Sequence, residues 1–244
     1  MRLTRIYLPA ALVTGSELAL PVTASNHLLR VLRLREGAQL IVFDGADNEH
    51  EAEISRISGQ QVYVRIGITL NRLTESPLHI TLVQGISRGE RMDWTIQKAT
   101  ELGISQIVPV LTSRSVVKLD QKQSLKKQEH WQAIAISACE QSGRTWVPNV
   151  HLPIHLGDYF NQSVHTNERL ILNPTANTPL AGLNLASNKI ELLIGPEGGL
   201  DEPELKQAEH TGFKSVSLGP RVLRTETAAV VALSVLQARW GDFR

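Results

Sequence analysis

Hydrophobic and polar positions follow two different rhythms along this chain. In residues 1–72, short apolar runs of β type recur at 5–8, 39–43, 51–57 and 61–68. Asp44-Gly45, Asp47-Asn48 and Ser58-Gly59 separate them and supply turn chemistry. A short helix is predicted over residues 25–34, and the whole stretch reads as a small β-rich, barrel-like module. Residues 71–77 are polar and end in a proline, which marks a linker. From Leu78 the rhythm changes. Strands are predicted at 78–84, 104–110, 170–172, 190–194 and 215–218, and helices at 91–102, 121–141, 202–211 and 226–240. Strands alternating with helices predict an α/β domain over residues 73–244, with a mostly parallel sheet and helices on both of its faces.

Two of the helices carry further information. Asp201, Pro203 and Glu204 form a start signal for the helix near residue 202: a cap, a first-turn proline and a capping-box partner. The last helix is apolar over residues 228–233 with no polar face, which predicts burial on all sides, by the core or by a partner subunit.

Composition narrows the class. With 42% hydrophobic residues in 244, the chain can bury a substantial core. A formal net charge of +1 argues against a polybasic binder but leaves room for a local basic face. The single cysteine, Cys139, excludes an intramolecular disulfide framework and suits a reducing compartment. The N-terminal apolar stretch is interrupted by Pro9, so no export signal is read, and no apolar run is long enough to span a membrane. The expectation is a soluble cytoplasmic protein. His151 and His155 stand at helical ligand spacing but are separated by Pro153, so no metal is expected. Cys139 reads as a small core residue.

The most informative segments are LLIGPEGGLDEPEL at 192–205 and SLGPRVLRTETAAVVALSVLQ at 217–237. Each is a strand, a Gly-Pro break and a helix. Gly198 and Gly199 leave the backbone free to adopt positive φ and to meet a ligand closely. Two such bends at the same strand ends define a ligand crevice in an α/β sheet. Neither bend is a Walker A or a GxGxxG loop. Pro196 and Pro220 remove donors and Glu197 would repel a polyphosphate, so a nucleoside-like ligand without phosphates fits better than ATP or NAD. An ordinary tight connection would use the same punctuation, and local pattern leaves both readings open.

GPEGG together with LGPRVLRTETA resembles the signature of the RsmE-type 16S ribosomal RNA uracil-N(3) methyltransferases of the SPOUT superfamily. HLLRVLRLREG with FDG at 27–45, QKATELG at 97–103, the Ser113-Arg114-Ser115 turn and CEQSGR at 139–144 match the same family across nearly the whole chain. The resemblance implies an S-adenosylmethionine-dependent enzyme. Its C-terminal SPOUT domain would carry a trefoil knot and bind the methyl donor, and its PUA-like N-terminal β-barrel would help to hold RNA. It also implies a homodimer with sites at the subunit interface, and 16S ribosomal RNA in an assembled small subunit as substrate. Main-chain atoms around Leu172, Gly195, Pro196, Glu197, Gly198, Gly199, Leu218, Gly219 and Leu223 would then hold the donor.

That chemistry asks for particular side chains. The uracil imide must lose its proton before nitrogen attacks a methyl group, and a cation beside the flanking carbonyl oxygens would stabilise the anion. Arginine suits this task. Arg221 and Arg224 lie in the second bend, Arg114 follows one strand end, and Arg144 follows a helix end through Ser142-Gly143. Glu140 and Glu197 are candidate bases or orienting groups, while Glu226 is read first as a cap or a partner of Arg224. Lys98 and Glu101 read as an intrahelical pair. In the first module His27, Arg30 and Arg33 recur every three residues opposite Leu28, Val31 and Leu32, a basic stripe that Arg2 and Arg5 would extend towards RNA phosphates. Lys118, Lys122 and Lys126 read as a solvated face. Two further functions share these features: a non-catalytic RNA-binding ribosome-assembly factor, and a SPOUT methyltransferase acting on a different RNA target.

Overall fold

The computed structural model describes residues 3–115, 117, 119–162 and 168–243, so Arg2 and Lys118 lie outside the described residues. The chain forms two compact units. One comprises Met1–Glu75 with Cys139–Val147, and the other Ser76–Ala138 with Pro148–Arg244.

The first unit holds β1 (Arg5–Tyr7), β2 (Glu17–Ala19), α1 (Val22–Asn26), β3 (Gln39–Phe43), β4 (Glu49–Ser58) and β5 (Gln61–Thr69). They form a five-stranded sheet in the order β1-β3-β4-β5-β2. β1 runs parallel to β3 and the other pairings are antiparallel. Strand alternation sets the inside and outside: Ala52 and Ile54 are buried on β4 while Glu51 and Glu53 between and beside them are exposed. Val62, Val64 and Ile66 do the same on β5 and close on Ile6, Leu28, Leu40 and Val42.

The predicted helix at 25–34 takes a different form. α1 ends at Asn26 and passes into a π-helical turn, His27–Val31. The Leu32 N–H reaches back five residues to the His27 carbonyl at 3.1 Å. Arg33 follows with φ of 54°, in the left-handed region that ends a helix. The wider turn and this reversal break the three-residue stripe, and Val31 and Leu32 are exposed rather than packed inside. Leu28 alone of the three apolar residues is fully buried.

The second unit contains β6 (His79–Gly85), α2 (Glu90–Glu101), β7 (Gln106–Leu111), α3 (Gln121–Ser142, whose last residues join the first unit), β8 (Asn149–Val150), β9 (Ile154–His155), α4 (Leu156–Phe160), β10 (Glu168–Leu172), β11 (Lys189–Ile194), α5 (Glu202–His210), β12 (Lys214–Val216) and α6 (Thr225–Trp240). The sheet order is β12-β10-β11-β6-β7-β8, with β9 also pairing β7, and every pairing is parallel. Both faces are covered, which explains the near-continuous apolar runs. Leu82, Leu170 and Leu192 point into a core shared with α2, α3 and α6. Their chain neighbours Val83, Ile171 and Leu193 point into a second core under α4 and α5. Asp201 caps α5 with its side chain on the Glu204 N–H at 2.8 Å, and Glu204 returns the bond to the Asp201 N–H at 3.0 Å. No helix among the described residues is long and apolar enough to cross a membrane.

Candidate active site

β10, β11 and β12 are adjacent and parallel, so their C-terminal ends open at one edge of the sheet. Leu172, Ile194 and Val216 stand at those ends, and the bends 195–199 and 217–225 follow β11 and β12. Together they line a crevice of about 590 Å³, within the range of sites for small organic ligands. Leu172, Leu218 and Leu223 contribute apolar wall. Gly199 (φ 69°) and Gly219 (φ 106°) occupy conformations that side chains rarely adopt. Among the described residues, the N–H groups of Leu218, Gly219, Val222 and Leu223 meet no main-chain acceptor, so the second bend offers free polar backbone to a ligand.

A buried polar clamp ties the two bends together. The Thr225 hydroxyl donates to the Gly195 carbonyl at 2.7 Å and accepts from the Gln84 side-chain amide at 3.0 Å. Gln84 is fully buried at the end of β6 and Thr225 is 6% exposed. Three elements thus converge on one hydroxyl, and the start of α6 is fixed to the end of β11. Sequence pattern assigned Gln84 no role and Thr225 only a place in the LRTETA motif, because the clamp joins residues 141 positions apart.

Charge is arranged around the rim. Arg114 donates to the Gly198 carbonyl at 2.9 Å. Arg221 and Arg224 line the crevice, are exposed, and form no ion pair among the described residues. Arg91, which the sequence reading passed over, pairs with Glu197 at 2.9 Å, and the Arg88 N–H donates to the same carboxylate oxygen at 2.9 Å. Partial burial alone would push the Glu197 carboxyl up, but the hydrogen bonds from Arg88 and Arg91 outweigh it and hold it below its ordinary value. Glu197 is therefore anchored as a carboxylate, unsuited to receive a proton. Glu226 neither caps α6 nor pairs with Arg224; its Oε2 is buried and has no hydrogen-bond partner among the described residues.

The other sequence candidates lie in different settings. Arg144 belongs to the first unit, where its guanidinium is held by Glu75 at 2.6 Å. Glu75 also accepts the Thr145 and Trp146 N–H groups, so this arginine organises a loop. Glu140, in the same unit, accepts the Tyr7 N–H at 3.1 Å; burial pushes its carboxyl up, opposed by that bond and by His27 and Arg5. Arg5 is buried with Glu49, rests on the Phe43 ring at 4.8 Å and donates to the Arg144 carbonyl at 2.8 Å. Its burial takes it out of the exposed basic stripe. His27, Arg30 and Arg33 are exposed, and Arg30 bonds Gln60 at 2.8 Å. Lys98 pairs with Glu101 at 2.8 Å within α2, and Lys122 and Lys126 are exposed. The His151 ring meets Gln106 at 2.9 Å. Cys139 is buried, and burial raises its thiol to about 12.

Comparison with known proteins follows the same division. An RNA methyltransferase domain model matches residues 74–237, and an RNA methyltransferase PUA domain model matches residues 20–67. The ribosomal RNA small subunit methyltransferase E of Buchnera aphidicola (Schizaphis graminum) is 32% identical over 241 residues, covering 99% of this chain and 98% of its own length. The protein of the same name from Bacillus subtilis is 32% identical, covering 93% of this chain and 90% of its own. Among solved structures, a ribosomal RNA small subunit methyltransferase E from Neisseria gonorrhoeae bound to S-adenosyl methionine is 39% identical with a TM-score of 0.93, and each chain is covered fully. A methyltransferase from Legionella pneumophila in complex with the cofactor SAM is 42% identical with a TM-score of 0.94, covering 99% of this chain and 100% of that one. The fold and the crevice thus define a SPOUT-type RNA methyltransferase domain accompanied by a PUA-like one. More narrowly, the chain belongs to the ribosomal RNA small subunit methyltransferase E family.

Proposed function

We propose that this protein methylates the N(3) imide nitrogen of a specific uridine in 16S ribosomal RNA of the small subunit, with S-adenosylmethionine as donor, and that it works in the cytoplasm as a homodimer. The observation that carries the reading is the junction of the two glycine bends in one crevice at the ends of β10, β11 and β12. The crevice suits the donor: its apolar walls match an adenosine, and its main-chain donors, without an acceptor among the described residues, match acceptor atoms of a nucleoside. S-adenosylmethionine supplies a methyl group activated by a sulfonium.

The protein's own groups do the rest. Main-chain atoms of Leu172, Gly195, Pro196, Glu197, Gly198, Gly199, Leu218, Gly219 and Leu223 hold the donor. Arg221 and Arg224, exposed beside it and without an ion pair among the described residues, face an incoming RNA and stabilise negative charge on the uracil oxygens. Arg114 fixes the first bend through the Gly198 carbonyl. Arg30, Arg33 and His27 meet RNA backbone from the PUA-like unit, residues 1–72 in the sequence division. Val230 and Val231 on α6 are only partly buried, which supports a subunit interface on that helix.

The experiment is transfer of labelled methyl to small subunits that lack the modification, followed by mass spectrometry of the nucleosides. N(3)-methyluridine is the expected product. A labelled ribose or transfer RNA would move the activity to another target. S-adenosylmethionine that does not bind by calorimetry would leave an assembly factor.

A further inference from the structure

Two carboxylates line the crevice, Glu197 and Glu226. Glu197 is occupied by the Arg88 N–H and by Arg91. Glu226 stands in the first turn of α6, and its Oε2 is buried with no donor among the described residues. A buried carboxylate oxygen without a hydrogen-bond donor is costly. Glu226 itself lines the crevice, so a ligand bound there is placed next to a carboxylate that no cation among the described residues engages. The charged groups facing that crevice are Arg91, Arg114, Glu197, Arg221 and Arg224. With Arg91 neutralised by Glu197, Arg114, Arg221 and Arg224 are left to favour an anion forming there.

We propose that Glu226 is the general base that removes the N(3) proton of the target uracil. The inference rests on the uridine-methylating function proposed above. The N(3)–H bond breaks and its proton passes to the Glu226 carboxylate. The electron pair left on nitrogen forms the new bond to the methyl carbon. The carbon–sulfur bond breaks with its pair going to sulfur, which neutralises the sulfonium, and protonated Glu226 returns its proton to solvent. Arg221 and Arg224 stabilise the imide anion between the two events. The side chain acts on the reacting atoms directly, unlike Thr225 beside it, which acts through the backbone.

The test is the Glu226→Gln variant, which keeps the size and one acceptor oxygen but cannot accept the proton. At saturating S-adenosylmethionine the transfer rate should fall about 10²–10⁴-fold. Between about pH 7 and about pH 9 the wild-type rate should stay nearly flat, whereas the variant's should climb about tenfold per pH unit as solvent takes over the ionisation. S-adenosylmethionine affinity by calorimetry should be the same in both proteins. An unchanged rate and profile in E226Q overturns the assignment. So does a loss confined to donor affinity, which would make Glu226 a donor-binding group. Wild-type protein that transfers no methyl to uridine removes the parent function, and this role with it. If E226Q fails to fold, Glu226→Ala reads the same point: added formate should restore a saturable rate, and no restoration counts against the role.

Discussion

Thr225 shows how much one hydroxyl can govern in this molecule. It donates to the Gly195 carbonyl and accepts from the Gln84 side-chain N–H at once, with Gln84 fully buried and Gly195 partly so. Thr225→Val keeps the shape, strips the Gly195 carbonyl of its donor and leaves the Gln84 amide only its bond to the Gly85 carbonyl, at a cost of about 1–3 kcal/mol. Because the clamp fixes the two bends that form the crevice, much of that loss should appear in ligand binding. The expected result by calorimetry is roughly tenfold weaker S-adenosylmethionine affinity for each ~1.4 kcal/mol lost, with Thr225→Ser recovering most of it. Equal affinity in the valine variant would separate the clamp from binding. Glu140 makes the opposite case. Burial raises its carboxyl above the ordinary value despite the Tyr7 N–H, His27 and Arg5. A raised folded-state pKa contributes stability below the unfolded value, and that contribution is lost as pH rises through the folded one. Glu140→Gln keeps the bond from Tyr7 without the ionisation. Its melting temperature should therefore match or exceed wild type near about pH 7, with the difference shrinking near about pH 4. A variant less stable at neutral pH would show that the charge itself is needed.

At the scale of elements, sequence signals were sufficient where the physics is local. The capping box of α5 was legible because Asp201, Pro203 and Glu204 sit within four consecutive positions and act on their own helix. Asp201→Ala should cost about 1 kcal/mol, read as a lower denaturation midpoint with an unchanged slope. A wild-type midpoint would mean that the end of α5 frays without penalty. The parallel strands were legible because both faces of the sheet are covered, which turns them into apolar runs. Residues 149–160 were not, since β8 and β9 are two residues each and α4 only five. Elements that short are held by neighbours rather than by periodicity. The stripe His27, Arg30 and Arg33 assumed a 3.6-residue period, which the π-helical turn and the left-handed Arg33 do not keep. Arg5 and Arg144 looked like free cations because their partners, Glu49 and Glu75, lie 44 and 69 positions away. The glycine bends, by contrast, were legible as bends, because their chemistry is that of backbone and each lies in one continuous stretch, while local pattern left open whether they line a crevice or merely connect strand to helix.

For the whole molecule, charge sets how an RNA would be met. A formal net charge of +1 gives no long-range field to draw in a polyanion. Affinity must then come from a few placed cations, and many of the arginines are already committed: Arg5 and Arg72 to Glu49, Arg91 to Glu197, Arg144 to Glu75, and Arg169 to Glu191. Arg30, Arg33, Arg221 and Arg224 remain exposed with no carboxylate partner among the described residues. Each phosphate that such a side chain neutralises releases condensed counterions, so the logarithm of affinity falls linearly with the logarithm of salt concentration. The slope then counts the exposed cations that actually meet phosphate. Substituting Arg30 by Gln should lower its magnitude by about one and weaken binding alike for all sequences, if Arg30 leaves Gln60 to grip a phosphate. Arg144→Gln should instead leave the slope unchanged and lower the melting temperature, because its guanidinium is spent on Glu75. Filter binding to small-subunit RNA at a series of salt concentrations separates the two arginines. An Arg144 variant that flattened the slope while melting normally would show that the Glu75 pair opens to RNA.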